Sequence, residues 1–469
     1  MSALDKEEME HVNDVYQRHM TFFQHNATLL DIYEGDLLKY VDLDLRKQLH
    51  FQSYKEAITR AAPINVLTKI VDKLSTIYKD DPLRAMVVES ASDENLLRWY
   101  EKHMSVNETM QDACDLFNLS KSTLIQPYVD EKARKPGIRA IPNDRFFVIG
   151  QNSVDPMLPT KVVTFDVFKD GKVIFYVYTD EEIVIFDNNL EVQTGMMSRN
   201  DNVDGINPLG RIPFVYANAS RHLLMPKGDS DRLRMTKLIP ILLTDLNYAS
   251  MYQTFSMIYG IDIDDTNVVF APNAVLKFTS DPTSDKTPQI GSFKPQVDID
   301  QVLSLVKTEL AMWLDSIGVR AGSTGDNDTD FASGISKMID EMDTSEHRVK
   351  LSKYFAQVES RLWSLIMHAM HPWWVGQRLI DQTAMFSSQA EVEINYGDAS
   401  TSSSKEQDAL NGAQVTSLMS VVEAVALGNM PKESAKAVIK AAFGLNDITV
   451  DEIIDPITPG SLTPEQVDG

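Results

Sequence analysis

The stretch from Asp229 to Gly376 constrains the fold most, because it reads in order as helix, compact β insert, helix, polar loop and long helix. Leu233, Met235, Leu238, Leu242, Leu246, Ala249, Tyr252 and Phe255 recur mostly at three- or four-residue intervals, and the run stops at Gly260. Pro240 is expected to kink this helix or split it in two. A different texture follows. Val268-Val269-Phe270 and Ala274 to Phe278 flank Ala271-Pro272-Asn273 and close at Asp281-Pro282, a pattern for two short strands.

Beyond the insert, Asp298 or Asp300 is placed to cap a helix carrying Ile299, Val302, Leu303, Val306, Leu310, Trp313, Leu314 and Ile317, ended by Gly318. Its length of about 28 Å is comparable with the straight part of the first helix. Two rods therefore bracket the insert. Arg320 to Gly334 is too rich in Gly, Ser, Asp and Asn to hold a helix, and reads as an exposed loop. From Ile335 the helical pattern resumes through Met338, Met342, Tyr354, Phe355, Val358, Leu362, Leu365 and Ala369, breaking before Pro372. Unbroken, it would extend about 54 Å.

Rod, β insert, rod, polar loop and very long helix, preceded by Gly210-Arg-Ile-Pro-Phe-Val215, resembles the core of the portal proteins of tailed bacteriophages. The Ser333-Gly334 opening of the long helix is similar to the family's, as is Asn65 to Pro82, a helix followed by Tyr78 and Pro82. Gly428-Asn-Met-Pro431, between two helical runs, is similar to the portal crown. The resemblance implies an α+β, mainly helical subunit with wing, stem, clip and crown, closed into a ring with a central channel.

Bulk properties set the frame. At 469 residues and 43% hydrophobic content the chain is expected to form several domains. Its single cysteine, Cys114, excludes an internal disulfide framework and fits a reducing compartment. No run of about eighteen apolar residues reads as a membrane span, and the N-terminus has no apolar signal core, so a soluble, cytosolic-type protein is expected. Forty-four basic against 68 acidic residues give a net charge of −24. That argues against tight, surface-wide nucleic-acid binding. It suits a mainly repulsive conduit that lets a duplex slide, and equally an ordinary acidic protein.

Residues 5 to 50 look helical with a break at Gly35; a further helix follows Pro63, and another spans Asp93 to Leu119. After Ser122 come β-branched and aromatic runs divided by Pro136-Gly137, Asp170-Gly171 and Asp187-Asn-Asn189, expected as one antiparallel sheet. Lys169-Asp-Gly-Lys172 is the clearest hairpin signal. Glu391 to Tyr396 alternates like a short edge strand, and the last residues form an acidic, proline-bearing tail.

The resulting division is residues 1–122 and 123–227 for the helical and β-rich parts of the wing, 228–259 and 299–318 for the stem helices, and 260–298 for the clip. Residues 319–334 would be the tunnel loop, 335–376 the long wing helix, 377–402 a wing strand and linker, 403–445 the crown and 446–469 the tail.

Chemistry-bearing motifs are scarce. Gly171-Lys172 lacks the first glycine of a P-loop, and no Gly-x-Ser-x-Gly elbow exists. His368 and His371 share a helical face, but there is no His-Glu-x-x-His, which favours packing over metal ligation. Asp262-Ile-Asp264-Asp265 has Asn267 and Asn273 where a calcium loop needs Gly and Glu. No catalytic residue, cofactor or metal is therefore expected. The resemblance implies positional residues instead: Arg320, Ser323, Thr324, Asp326, Asn327, Asp328 and Asp330 in the tunnel loop, Lys307 and Glu309 lining the channel, and Lys277, Lys286 and Lys294 on the clip. Arg320 reads equally as a charge complementing a helix C-terminus, Lys307 and Glu309 as solvated surface, and the three lysines as ordinary hairpin residues. The implied partners are further copies of the chain, about twelve in a ring, double-stranded DNA, the terminase large subunit, the major capsid protein or scaffold, and a head–tail adaptor, without a membrane. The implied location is the capsid portal vertex of the virion. Two other classes stay open: another phage neck or tail component, and a metal-dependent hydrolase using scattered carboxylates such as Asp262 and Asp264.

Overall fold

The computed structural model describes residues 5–79, 81–88, 90–150, 159–193, 205–220, 222–254, 257–261, 289–293, 299–316, 344–396 and a few positions between 425 and 436. Two compact units make up the chain, Met1–Gly397 and Asp398–Gly469. The first mixes helix and sheet.

Helices α1 (Lys6–Arg18), α2 (Met20–Tyr33), α3 (Leu37–Gln48) and α4 (Phe51–Ile58) open the chain. Asp5 caps α1 by accepting from the Glu8 amide at 2.9 Å. Gly35, at φ 119°, makes the turn into α3 that other residues adopt with strain. Helix α5 (Val66–Leu74) is capped by Asn65, and a short 3-10 turn, Thr76–Tyr78, leads to strand β1 (Leu83–Met86). The run expected as one helix from Asp93 to Leu119 is two, α6 (Ala91–Met104) and α7 (Val106–Ser120). Ser105, at φ 44°, breaks it.

Next come β2 (Ser122–Asp130), β3 (Lys135–Pro142), β4 (Phe146–Ile149), β5 (Lys161–Val167), β6 (Val173–Tyr178), β7 (Ile183–Asp187) and β8 (Val215–Asn218). They form two antiparallel sheets rather than one, ordered β3-β2-β8 and β4-β5-β6-β7. Asn143 sits at the break between them and donates to the Ser120 carbonyl at 2.8 Å, so the chain cannot simply continue the first ladder. One face of the four-stranded sheet buries Phe147, Phe165, Phe175 and Phe186 against Tyr16, Phe22 and Phe23 of α1 and α2. The other face packs Phe146, Val148, Val162 and Ile183 against Leu124 and Phe214. Burial on both faces explains why these strands read as continuous apolar runs.

Helix α8 (Ser230–Thr254) is followed by β9 (Met257–Ile261), β10 (Gln289–Phe293), α9 (Ile299–Ser316) and α10 (Ser345–Leu365); a π-turn, Ile366–Met370, then leads into α11 (His371–Gly376), and β11 is Val392–Asn395. Three expectations are corrected here. Pro240 lies inside a single α8, so of the kink or split expected there the split does not occur. The helix ends at Thr254 instead of running to Gly260, which pairs with Ile290 across the β9–β10 ladder. Pro372 does not end the long helix. The π-turn widens the spiral just ahead of it, where a proline ring and missing N–H would otherwise clash, and helix continues to Gly376.

At the centre of α10, Glu359 is fully buried. Its carboxylate accepts from Tyr78 Oη at 2.9 Å, Arg84 Nε at 2.5 Å, Trp363 Nε1 at 3.2 Å and Tyr396 Oη at 3.3 Å. Arg84 also reaches Asn107 Oδ1 at 2.6 Å and Glu101 at 3.3 Å. Removing one partner of a buried ion pair strands the other, at about 3–5 kcal/mol. Arg84→Ala is accordingly expected to lower unfolding free energy by about that amount, and Tyr396→Phe by about 1 kcal/mol, in urea denaturation. Equal, small effects from both variants would show that the pair does not hold the fold.

Candidate functional site

The candidate site is the pair of rods and the hairpin between them. The chain leaves α8 into β9 and returns from β10 into α9, and β9 and β10 pair antiparallel from Met257↔Phe293 to Ile261↔Gln289. Ile239 and Leu243 of α8 share a core with Val306, Leu310, Trp313 and Leu314 of α9 and with Val66, Ile70 and Leu74 of α5. Helix α5 is thus the buttress of the rods. The adjoining flank of the same apolar side, Leu67 and Val71, packs with Leu29, Ile32, Leu37, Val41 and Leu119, while Lys69 and Asp72 on the far side are exposed. Sequence reasoning placed α5 in a helical core and did not connect it to the rods. The periodicity of Val66, Ile70 and Leu74 beside that of Leu67 and Val71 was the available signal.

The side of α9 away from this core is not simply polar. Leu305 and Met312, seven residues apart and hence on one face, are 51% and 68% exposed. Leu238 and Leu246 of α8 are half-buried and belong to none of the apolar clusters. Lys307 and Glu309 are each half-buried. At about 100° per residue they lie on opposite flanks of the Val306–Leu310 stripe, while Ser304, Thr308 and Asp315 point directly away from it and are exposed. Arg320, Ser323, Thr324, Asp326, Asn327, Asp328 and Asp330 lie outside the described residues, as do Lys277, Lys286 and Lys294 and the carboxylates Asp262 and Asp264. So do the two strands read at 268–270 and 274–278 and most of the crown helices.

The two histidines at the end of the long helix are tied to the backbone. His368 Nε2 donates to the Ala390 carbonyl at 3.0 Å and His371 Nε2 to that of Ala384 at 2.8 Å. That fixes His371 Nδ1 as the acceptor of the Tyr100 hydroxyl, 2.6 Å away, and burial lowers its pKa. Among the described residues no group of three or more His, Cys, Asp or Glu is placed to hold a metal ion. No described helix is long and apolar enough to cross a membrane.

No family model and no curated protein matches the chain. Solved structures do. One, described as the neck of an empty GTA particle computed with C6 symmetry, aligns over 83% of this chain and 89% of its own at 12% identity and a TM-score of 0.31. It is a weak structural neighbour.

Behind the buttress lies an electrostatic cluster. Asp72 of α5 accepts from Tyr33 Oη at 2.9 Å, and Asp115 of α7 accepts from Gln111 at 2.8 Å. Burial pushes the Asp115 carboxyl up to about 6, and the charges of Asp72 and Asp112 add to the rise while Ser75 and Gln111 oppose it. A carboxyl whose folded pKa lies above its ordinary value binds its proton better in the folded state. Its contribution therefore favours folding increasingly as pH falls from above 6 towards the ordinary carboxylate pKa, and is unfavourable at neutral pH. Asp115→Asn is expected to raise the urea midpoint at pH 7.5 and to change it little at pH near 4; a loss of stability at pH 7.5 would refute this account.

Proposed function

We propose that the chain is a portal-type subunit of a phage-like particle, assembling as a ring that serves as the DNA channel at one capsid vertex. The observation that supports this best is the α8–hairpin–α9 unit, two rods of about 37 and 27 Å joined through a β hairpin and buttressed by α5. Such a unit leaves Leu305 and Met312 uncovered in a single copy. A ring places different surfaces of neighbouring subunits in contact, so an apolar stripe on one rod meets another patch on the next copy.

In this reading α8 and α9 form the stem, the insert between them the clip, and residues 319–334 the tunnel loop. Arg320 would be the cation offered to passing phosphates, with Ser323, Thr324, Asp326, Asn327, Asp328 and Asp330 beside it. Lys307 and Glu309 flank the stem helix. Lys277, Lys286 and Lys294 on the clip would meet the terminase large subunit during packaging and a head–tail adaptor afterwards. The channel performs no catalysis and needs no cofactor; the motor supplies the work. An overall charge of −24 keeps the wall from gripping the duplex over its length.

Native mass spectrometry with negative-stain imaging tests this directly. A closed ring of about twelve copies around a hole wide enough for B-form DNA is expected, and a metal-binding dimer would overturn the reading. A second test concerns the stripe. Met312→Glu and Leu305→Glu should shift the population from rings to smaller species, while the thermal midpoint of the subunit changes little because both side chains are exposed. Rings of undiminished abundance in both variants would remove the stripe from the interface.

A further inference from the structure

The β1–β11 ribbon has one covered face and one open face. Strand side chains alternate, and Met86, Val392 and Ile394 join the core around α10 while Arg84 reaches Glu359 there. Leu83, Ala85 and Val87 therefore point the other way and are exposed, Leu83 at 69% and Val87 at 54%. Across the ribbon Leu83 faces Asn395 and Ala85 faces Glu393, and the Val87 amide donates to the Glu391 carbonyl at 2.9 Å. Both glutamates are exposed. An apolar row thus runs beside an acidic one. Among the described residues no third strand joins the ribbon, and neither glutamate is in an ion pair.

The α3–α4 corner carries the opposite combination. Leu37, Val41 and Leu45 form the buried stripe of α3. Leu43, two residues beyond Val41 and so about 200° round the helix, faces outward and is exposed. Lys47 follows it one turn later. On α4, Phe51 is 66% exposed, and Lys55, again one turn on, lies over its ring with Nζ 5 residues' reach away from the backbone and 4.4 Å from the centroid. Neighbouring cations are neutralised, Arg46 by Asp42 and Lys39 by Asp31. Lys47 and Lys55 are exposed and, among the described residues, in no ion pair.

One chain thus bears two open apolar patches, one edged by unpaired carboxylates and the other by unpaired ammonium groups, and neither covers the other. We propose that they are the two halves of a contact between copies, the α3–α4 corner of one subunit seated on the β1–β11 ribbon of the next. Leu43 and Phe51 meet Leu83 and Val87, while Lys47 and Lys55 meet Glu391 and Glu393. Copies of net charge −24 repel one another at long range. A self-contact is therefore favoured where the local charges oppose, and this corner offers the ribbon the opposing sign. Because the two halves differ the contact is heterologous, so its repetition closes into a ring or runs on as a filament. The contact deepens the ring reading and rests on it for closure, but it uses different residues from the Leu305 and Met312 stripe.

The test uses the full chain, with assembly followed by native mass spectrometry and sedimentation velocity. One variant carries Lys47→Glu and Lys55→Glu, the other Glu391→Lys and Glu393→Lys. All four side chains are exposed, so the thermal midpoint of the subunit should change little. Each variant alone sets like charges against each other and should associate at least about tenfold more weakly. Combining all four substitutions in one chain should restore assembly. So should mixing the two variants one to one, because each altered patch then meets the other variant's altered patch. Phe51→Ser, at an exposed site, should weaken association without any change of charge. A wild type that stays monomeric, or a loss in the charge variants that neither combination nor mixing reverses, overturns the contact. Undiminished rings in both charge variants overturn it too and leave the channel reading intact. An open filament with the expected charge dependence keeps the contact and overturns the channel reading.

Discussion

A carboxylate buried on the apolar side of α10 sets the terms for the rest of the molecule. Glu359 lies among Phe355, Val358, Leu362 and Trp363, all buried. Taken out of water, a carboxylate is tolerated only where donors surround it, so its partners must come to it. They come from far along the chain: Tyr78 is 281 residues away in sequence and Arg84 is 275. Tyr78 closes the turn that follows α5, and α5 packs against the rods along Val66, Ile70 and Leu74. The position of α8 and α9 is thereby referred to a single point on α10 through one short helix. Arg84 does the same for β1, and Tyr396 for the end of β11, which explains why so short a two-stranded sheet is held in register.

The elements read correctly from sequence are those whose causes are local. Lys169-Asp-Gly-Lys172 makes its hairpin because Gly171 takes φ 82°, and Gly35 turns the chain for the same reason. The misread elements have distant causes. Met257-Ile258-Tyr259 continues the apolar pattern of α8 as well as it begins a strand, and only pairing with Gln289 to Phe293 decides between them. Leu83-Arg84-Ala85-Met86 has no strand-like alternation at all. It is a strand because β11 lies beside it and Glu359 holds its arginine. Ser105 offered no glycine to announce its left-handed turn, and the π-turn before Pro372 has no composition of its own.

For the candidate site, the order of elements was legible and their mutual burial was not. Helix α8 spreads its apolar residues among polar ones because it is used on several sides. Leu233 and Ile241 pack with the α3 core, Ile239 and Leu243 with α5 and α9, and Leu238 and Leu246 with neither. A helix of that kind carries no sharp amphipathic stripe from which a partner face is readable. On α9 the stripe is sharp, but the apolar Leu305 and Met312 fall outside it. Periodicity marks them only as exceptions, and their exposure is visible only in the folded chain.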